Sequence, residues 1–348
     1  MKAAVVYANE DVRYEEIPEP VTEPGSVKIK IAVSGICGSD VPRVLHNGVH
    51  FYPIVLGHEF AGEVVEIGEK VTGVKIGDHV TGAPLLPCMK CQDCQSGNYA
   101  LCRHYSFIGS RQQGSNAQYL VIPEKNVIVL DQEVSYEKGA MVEPATVALH
   151  GIMLNEYKGG GYVAVLGAGT IGMFTLQWAK LFGSKKLVVF DINEERLALA
   201  KKLGADEVIN TKSEGFLEQA KEVTEGAGFD YVFETAGAAP TMYLAFELAA
   251  NKAKVCFIGT PHVDLTFTPK MWENMNRKEF QLTGSWMSYS APFPGKEWTL
   301  AAHYFATGQL QVPEEMIAHR IPMSKAQEAF EYYKKPGGVA GKILLVNE

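Results

Sequence analysis

Apolar and polar residues alternate with a period of two through the first third of the chain, and this rhythm changes beyond residue 141. Residues 27–33 (VKIKIAV) alternate strictly, the pattern of a strand with one face turned inward. Residues 61–67, 78–81 and 127–130 predict further strands, broken by Gly68, Gly73 and Gly77. Short strands punctuated by glycine, with little helical period, predict a small β unit of barrel type. Residues 143–151 (EPATVALHG) then predict a helix with Pro144 in its first turn. Strands at 162–166, 186–190, 207–209, 231–234, 254–258 and 279–284 follow, with helices at 171–182, 194–203 and 241–250 between some of them. Repeated β–α units predict a parallel, doubly wound sheet. The last sixty or so residues leave that rhythm. They predict helices at 298–307 and 324–334 and a closing strand at 342–346 (KILLV), expected to return to the first domain. The predicted division is residues 1–140 with 287–348, and residues 141–286.

Composition narrows this picture without redirecting it. The chain has 348 residues, 47% of them hydrophobic and 21% charged, enough apolar material for two cores. A net charge of −8 gives no general attraction for nucleic acid or an anionic membrane. The opening residues (MKAAVVYANEDVRYEE) lack the long apolar run of a signal peptide. Residues 162–183 match a membrane span in length, but Gly167, Gly169, Gly172 and Lys180 argue for a strand, a turn and a buried helix. A cytoplasmic location is the default expectation.

Chemistry enters at three places. Gly167-Ala168-Gly169-Thr170-Ile171-Gly172 fits the dinucleotide fingerprint and sits between a predicted strand and a predicted helix. The glycines permit a tight turn, close approach of a pyrophosphate and close helix packing. The helix N-terminus offers free N–H groups to the phosphates. Asp191 follows nineteen residues after Gly172, where a carboxylate meets the ribose hydroxyls and repels a 2′-phosphate. Ile192 follows it, so NAD is favoured over NADP.

Cys88, Cys91, Cys94 and Cys102 crowd into fifteen residues. Four thiolates at such spacing close a tetrahedral zinc site with no open position, a structural staple for a lobe at about residues 86–104. An iron–sulfur cluster and free thiols are the alternatives. Cys37, His58, Glu59 and Glu143 are thiolate, imidazole and carboxylates that suit zinc, though each taken singly is more often packing or surface.

These motifs occur in order: GICGSD (35–40), LGHEF (56–60), the cysteine lobe, Glu143-Pro144 and GAGTIG (167–172). The set resembles the zinc-containing medium-chain dehydrogenases over nearly the whole chain. The resemblance implies a GroES-like barrel beside a Rossmann domain, with two zinc ions per chain. Cys37, His58 and a carboxylate would hold the catalytic zinc, with Glu59 and Glu143 both candidates. No further cysteine precedes Cys256, and Glu143-Pro144 stands where the alcohol branch has a third cysteine ligand; this resembles the polyol branch, which includes sorbitol dehydrogenase. Stretches such as CGSDVPR (37–43), NGVHFYPIVLGHEF (47–60) and GSWMSYSAPFPGKEW (284–298) narrow it to polyol phosphates. Pro42 stands where sorbitol dehydrogenases carry a histidine, which puts the proton route in doubt. Ser39 is the first candidate relay, with helix or turn capping as its bland alternative. Arg43 and Arg111 are candidate phosphate donors. Rival readings are a dehydrogenase of a free polyol or of 2,3-butanediol, and a non-catalytic cofactor-binding protein such as a lens crystallin or a sensor. A homodimer is expected, with a tetramer next.

Overall fold

The computed structural model describes residues 1–335 and 337–347 and divides into two compact units, Met1–Glu143 with Tyr289–Glu348, and Pro144–Ser288. In the first unit the long strand Ser26–Gly35 pairs antiparallel with Glu59–Ile67, Tyr119–Pro123 and Lys342–Val346. The closing strand thus lies beside a strand from the start of the chain. The strict alternation of residues 27–33 does not leave one face exposed, because Lys28 is itself buried. Its stem crosses apolar surface while its ammonium reaches Glu19 at 3.0 Å and Glu66 at 2.8 Å. Val27, Ile29, Ile31, Phe60, Val64 and Ile122 fill this core.

A second sheet of this unit joins Lys2–Ala8 to Asp11–Glu16 and Ile54–Val55. The opening hairpin was not foreseen from the alternation. The residue at its turn, Glu10, has a φ of 62°, a conformation that glycine usually marks. The strand Ile317–Pro322, parallel to the closing strand, was also unforeseen.

The second unit is a six-stranded, wholly parallel sheet. Numbered in order of appearance, its strands run 3-2-1-4-5-6, the doubly wound order whose crevice forms where the direction of winding reverses. Tyr162–Leu166 and Lys186–Asp191 are buried except at their first residues, as a strand covered on both faces must be. The helix Thr170–Leu181 buries Phe174 and Trp178 completely. The span-length apolar segment is therefore strand, turn and core helix, and no helix among the described residues is long and apolar enough to cross a membrane.

Several boundaries differ from expectation. The helix expected at 241–250 occupies Ala239–Leu248, and the following strand begins at once, Ala249–Phe257. Alanines 249 and 250 read as helix in the sequence, but both are buried in the sheet. The helix expected at 324–334 is only Ala326–Glu331, flanked by tighter 3-10 turns. Pro269–Lys278, unforeseen, is a helix with no buried residue.

Candidate metal and dinucleotide sites

Cys88, Cys91, Cys94 and Cys102 bring their sulfurs within 4.8 Å of one another. Cys88 Sγ and Cys94 Sγ are 4.0 Å apart, twice a disulfide length. A tetrahedron of thiolates about 2.3 Å from zinc has sulfur–sulfur edges of roughly 3.8 Å, so the spacing fits that ion. The lobe also prepares charge. Backbone N–H groups of Lys90 and Cys91 donate to Cys88 Sγ and lower its pKa. The Cys94 N–H does the same for Cys91, bringing it down to about 6, while burial pushes Cys94 up to about 12. Backbone N–H groups that favour the thiolate at Cys88 and Cys91, beside a buried Cys94 that needs a cation to ionise, make a donor set suited to a metal.

A second cluster joins Cys37, His58 and Glu59, again with ligand atoms within 4.8 Å of one another. Cys37 follows the strand Ser26–Gly35, and Glu59 opens the strand paired with it, so antiparallel register sets Glu59 opposite Gly35. A Cβ at Gly35 would come within 2.7 Å of Glu59 Oε2, so only glycine leaves that carboxylate room. The His58 ring meets Phe107 edge-on at 5.4 Å, and its Nδ1 is buried without a hydrogen-bond partner, 3.6 Å from Asp40 Oδ2. Burial and the neighbouring carboxylates of Glu59, Asp40 and Glu143 drive the Cys37 thiol well above its ordinary pKa. Glu143, in the first turn of the helix Val142–Leu154, is pushed up to about 7, chiefly by burial. It senses the charges of His58 and Glu59 but lies outside the tight trio. A sulfur, an imidazole and buried carboxylates that repel one another's charge fit a divalent cation.

Ser39 has a definite role in this geometry. It precedes the short helix Asp40–Pro42 yet makes no side-chain capping bond. Its hydroxyl instead donates to Cys37 Sγ at 3.2 Å and accepts from Arg43 Nη1 at 3.3 Å. Arg43 also donates to buried Asp40 at 2.7 Å. Arg111 lies over the Tyr105 ring at 4.6 Å.

Lys342 was missed by the sequence reading. It lies on the closing strand, nearly fully buried, and its ammonium contacts Glu59 Oε1 at 2.8 Å and Oε2 at 2.5 Å, while also donating to Ile36 O. In sequence it reads only as a charge flanking an apolar strand. No local signal marks it, because its partner lies 283 residues away.

In the second unit the glycine turn has the geometry its motif requires. Gly167 has a φ of 97°. A Cβ on Gly172 would sit 1.8 Å from Gly167 O, which no side chain tolerates. Gly169, Thr170 and Ile171 open the helix Thr170–Leu181. Asp191 accepts from Ala168 N at 2.6 Å and, through its other oxygen, from Ile192 N and Asn193 N at 2.8 and 2.9 Å. The acid is thus fixed against the turn.

Residues 23–132 match an alcohol dehydrogenase GroES-like domain and residues 170–303 a zinc-binding dehydrogenase. The chain belongs to the zinc-dependent alcohol dehydrogenase family, and it is an NAD-linked dehydrogenase that acts on a small alcohol. Among its relatives is galactitol 1-phosphate 5-dehydrogenase of Escherichia coli (strain K12), 40% identical over 99% of this chain and 100% of that protein. D-arabitol-phosphate dehydrogenase of Enterococcus avium is 33% identical over 92% of this chain and 90% of that one. The crystal structure of galactitol-1-phosphate dehydrogenase from Escherichia coli superimposes with a TM-score of 0.94 at 39% identity, covering 99% of this chain and all of that one.

Proposed function

We propose that the protein oxidises a secondary hydroxyl of a polyol phosphate to a ketone, converting galactitol 1-phosphate to tagatose 6-phosphate with NAD as acceptor. One observation carries this reading. Through Ser39, the guanidinium of Arg43 stands two short contacts from the sulfur of Cys37, so an anion-binding group adjoins a metal-binding cluster. Full-length likeness to a dehydrogenase of that substrate supports it.

Cys37, His58 and a carboxylate from Glu59 or Glu143 hold the catalytic zinc, and Cys88, Cys91, Cys94 and Cys102 hold the structural one. Bound zinc supplies Lewis acidity that lowers the pKa of the substrate hydroxyl, and NAD supplies the hydride acceptor. Ser39 Oγ takes the hydroxyl proton as it passes its own to solvent, to which it is exposed. Gly167, Gly169 and Gly172 let the backbone approach the pyrophosphate, with the N–H groups of Thr170 and Ile171 facing it. Asp191 receives the ribose hydroxyls and disfavours NADP. Arg43 and Arg111 bind the substrate phosphate.

The quaternary reading is a homodimer. The strand Gln281–Gly284 is bonded to a neighbour on one side only, is largely exposed, and lies in a unit where Trp272 and Val263 are also exposed. An unprotected edge with apolar company favours pairing with a second copy. The cytoplasmic reading rests on four cysteines kept as metal-ready thiols rather than disulfides.

Following NADH formation on galactitol 1-phosphate, galactitol, sorbitol, xylitol and 2,3-butanediol tests the substrate. Turnover strongest on the phosphate ester supports the proposal. Equal or better turnover on a free polyol or diol transfers the reading to an unphosphorylated substrate.

A further inference from the structure

The parallel strands Tyr162–Leu166 and Phe229–Glu234 are neighbours, with Leu166 opposite Glu234. They are the first and fourth strands of the second unit's sheet, between which the winding reverses and the crevice opens. The glycine turn leaves one of them there, and residues 235–238 leave the other. Ala236 and Ala238 are exposed, so burial contributes little to holding this second segment in place.

Polar contacts hold it from two sides. Behind it, Glu234 Oε1 accepts from Ala236 N at 3.0 Å, Gly237 N at 2.9 Å and Thr241 Oγ1 at 2.7 Å. Glu234 is fully buried, and its other oxygen, Oε2, is buried without a hydrogen-bond partner. An unmet carboxylate oxygen costs stability, and the fold carries that cost where one strong acceptor serves three donors. In front, Thr235 N donates to Leu166 O at 2.9 Å. Thr235 Oγ1 lies 3.0 Å from both Leu166 O and Gly167 O, so its single proton is shared between two carbonyls. Leu166 O already holds the Thr235 N–H, so the distinctive contact of the hydroxyl is the one to Gly167 O.

Gly167 O sits at a crowded point. The Cβ position of Gly172 is 1.8 Å from it and 2.9 Å from Thr235 Oγ1. The Cβ position of Gly167 is 2.8 Å from the Ala236 methyl. The first and third glycines of the motif therefore converge on Thr235 and Ala236. Gly167 has a φ of 97°, and its peptide directs the chain into the helix Thr170–Leu181. Rotation of that peptide would swing the N–H groups of residues 169–171, which open the helix.

Building on the placement of NAD at the glycine turn, we propose that Thr235 is a positioning residue for the cofactor. Its hydroxyl, backed by Glu234, locks the Gly167 peptide so that the helix N-terminus stays aimed at the pyrophosphate. Thr235 acts through the turn and not on the nucleotide itself. Asp191 keeps two backbone partners of its own, Ile192 N and Asn193 N, so the ribose grip outlasts a loosened Gly167 peptide.

The test uses the zinc-loaded, full-length protein. Thr235→Val keeps the side-chain shape and removes the hydroxyl; Thr235→Ser keeps the hydroxyl. NADH affinity is read from its fluorescence. Adenosine, which has the ribose and no pyrophosphate, is read by competition with NAD. Thr235→Val should bind NADH about tenfold more weakly, the scale of one lost hydrogen bond, and bind adenosine as the wild type does. KM for NAD should rise while kcat does not fall, and Thr235→Ser should recover most of the affinity. Glu234→Gln, which keeps an acceptor oxygen without the charge, should weaken NADH about threefold and again spare adenosine. Asp191→Ala checks the underlying placement and should weaken both ligands. If it weakens neither, NAD does not lie at the glycine turn, and this inference falls with that reading. If Asp191→Ala weakens both, while Thr235→Val binds NADH like the wild type or loses adenosine equally, the role of Thr235 alone is overturned.

Discussion

The two clusters of candidate metal ligands are built on opposite principles. The four-cysteine lobe collects its ligands from fifteen consecutive residues and sets their charge with its own backbone N–H groups. The Cys37–His58–Glu59 cluster draws its ligands from two segments and balances their charge with Lys342, far off in sequence. The lobe uses one kind of ligand and closes on itself, which suits a staple. The second cluster mixes donor types and carries titratable neighbours, which suits a site where charge changes during a reaction. Local geometry is sufficient for holding a metal; chemistry on it needs tertiary partners.

The largest effect that separates the two sites should come from Cys37→Ser. Turnover should fall about a thousandfold or more, on the scale of losing a Lewis acid. Zinc by elemental analysis should drop from two ions per chain to one. Retained turnover with one zinc would break the division of roles.

Next in size is Lys342→Met, which leaves Glu59 buried without its cation. Breaking a buried pair in this way costs roughly 3–5 kcal/mol. Thermal unfolding should show a large loss of stability in metal-free protein and a smaller one with zinc present, because the ion takes over the missing positive charge. The double change with Glu59→Gln should recover much of the loss. A loss that zinc does not reduce would remove Lys342 from the charge balance of the cluster.

Cys91→Ser should act on the lobe alone. The region of residues 86–104 should become open to proteolysis, while the metal at Cys37 and His58 stays. Loss of both ions together would mean that the sites are not independent.

The smallest effect is on pH dependence. Glu143 has a folded pKa near 7, above its unfolded value, so the folded metal-free protein holds the proton more tightly. Its contribution is present at acidic pH and fades as pH rises from about 4.5 through 7, by at most about 1.4 kcal/mol per pH unit. Urea midpoints of metal-free protein at pH 5.5 and 7.5 should diverge in the wild type more than in Glu143→Gln. Zinc should reverse the trend, since it competes with that proton.

Much of this was legible in the sequence, for identifiable reasons. The glycine turn, the cysteine lobe and the CGSD and GHE motifs carry their chemistry in neighbouring residues. The sheet of the second unit was readable because its first two strands, Tyr162–Leu166 and Lys186–Asp191, are nearly continuous apolar runs. The helix Pro269–Lys278 was hidden because it is short and polar apart from Met271, Trp272 and Met275, with Met275 and Trp272 packing on the core from its one apolar side. Lys342 was hidden for another reason. It is an ordinary polar residue until the fold sets the Glu59 carboxylate beside it.

The most direct test of the central claim is stepwise chelation, with zinc content and NADH formation measured on the same samples. The account predicts that the first zinc to leave comes from the Cys37–His58 cluster and takes essentially all turnover with it. The four-cysteine ion should remain, and added zinc should restore activity. Undiminished turnover in protein shown to lack zinc at Cys37 and His58 would contradict it.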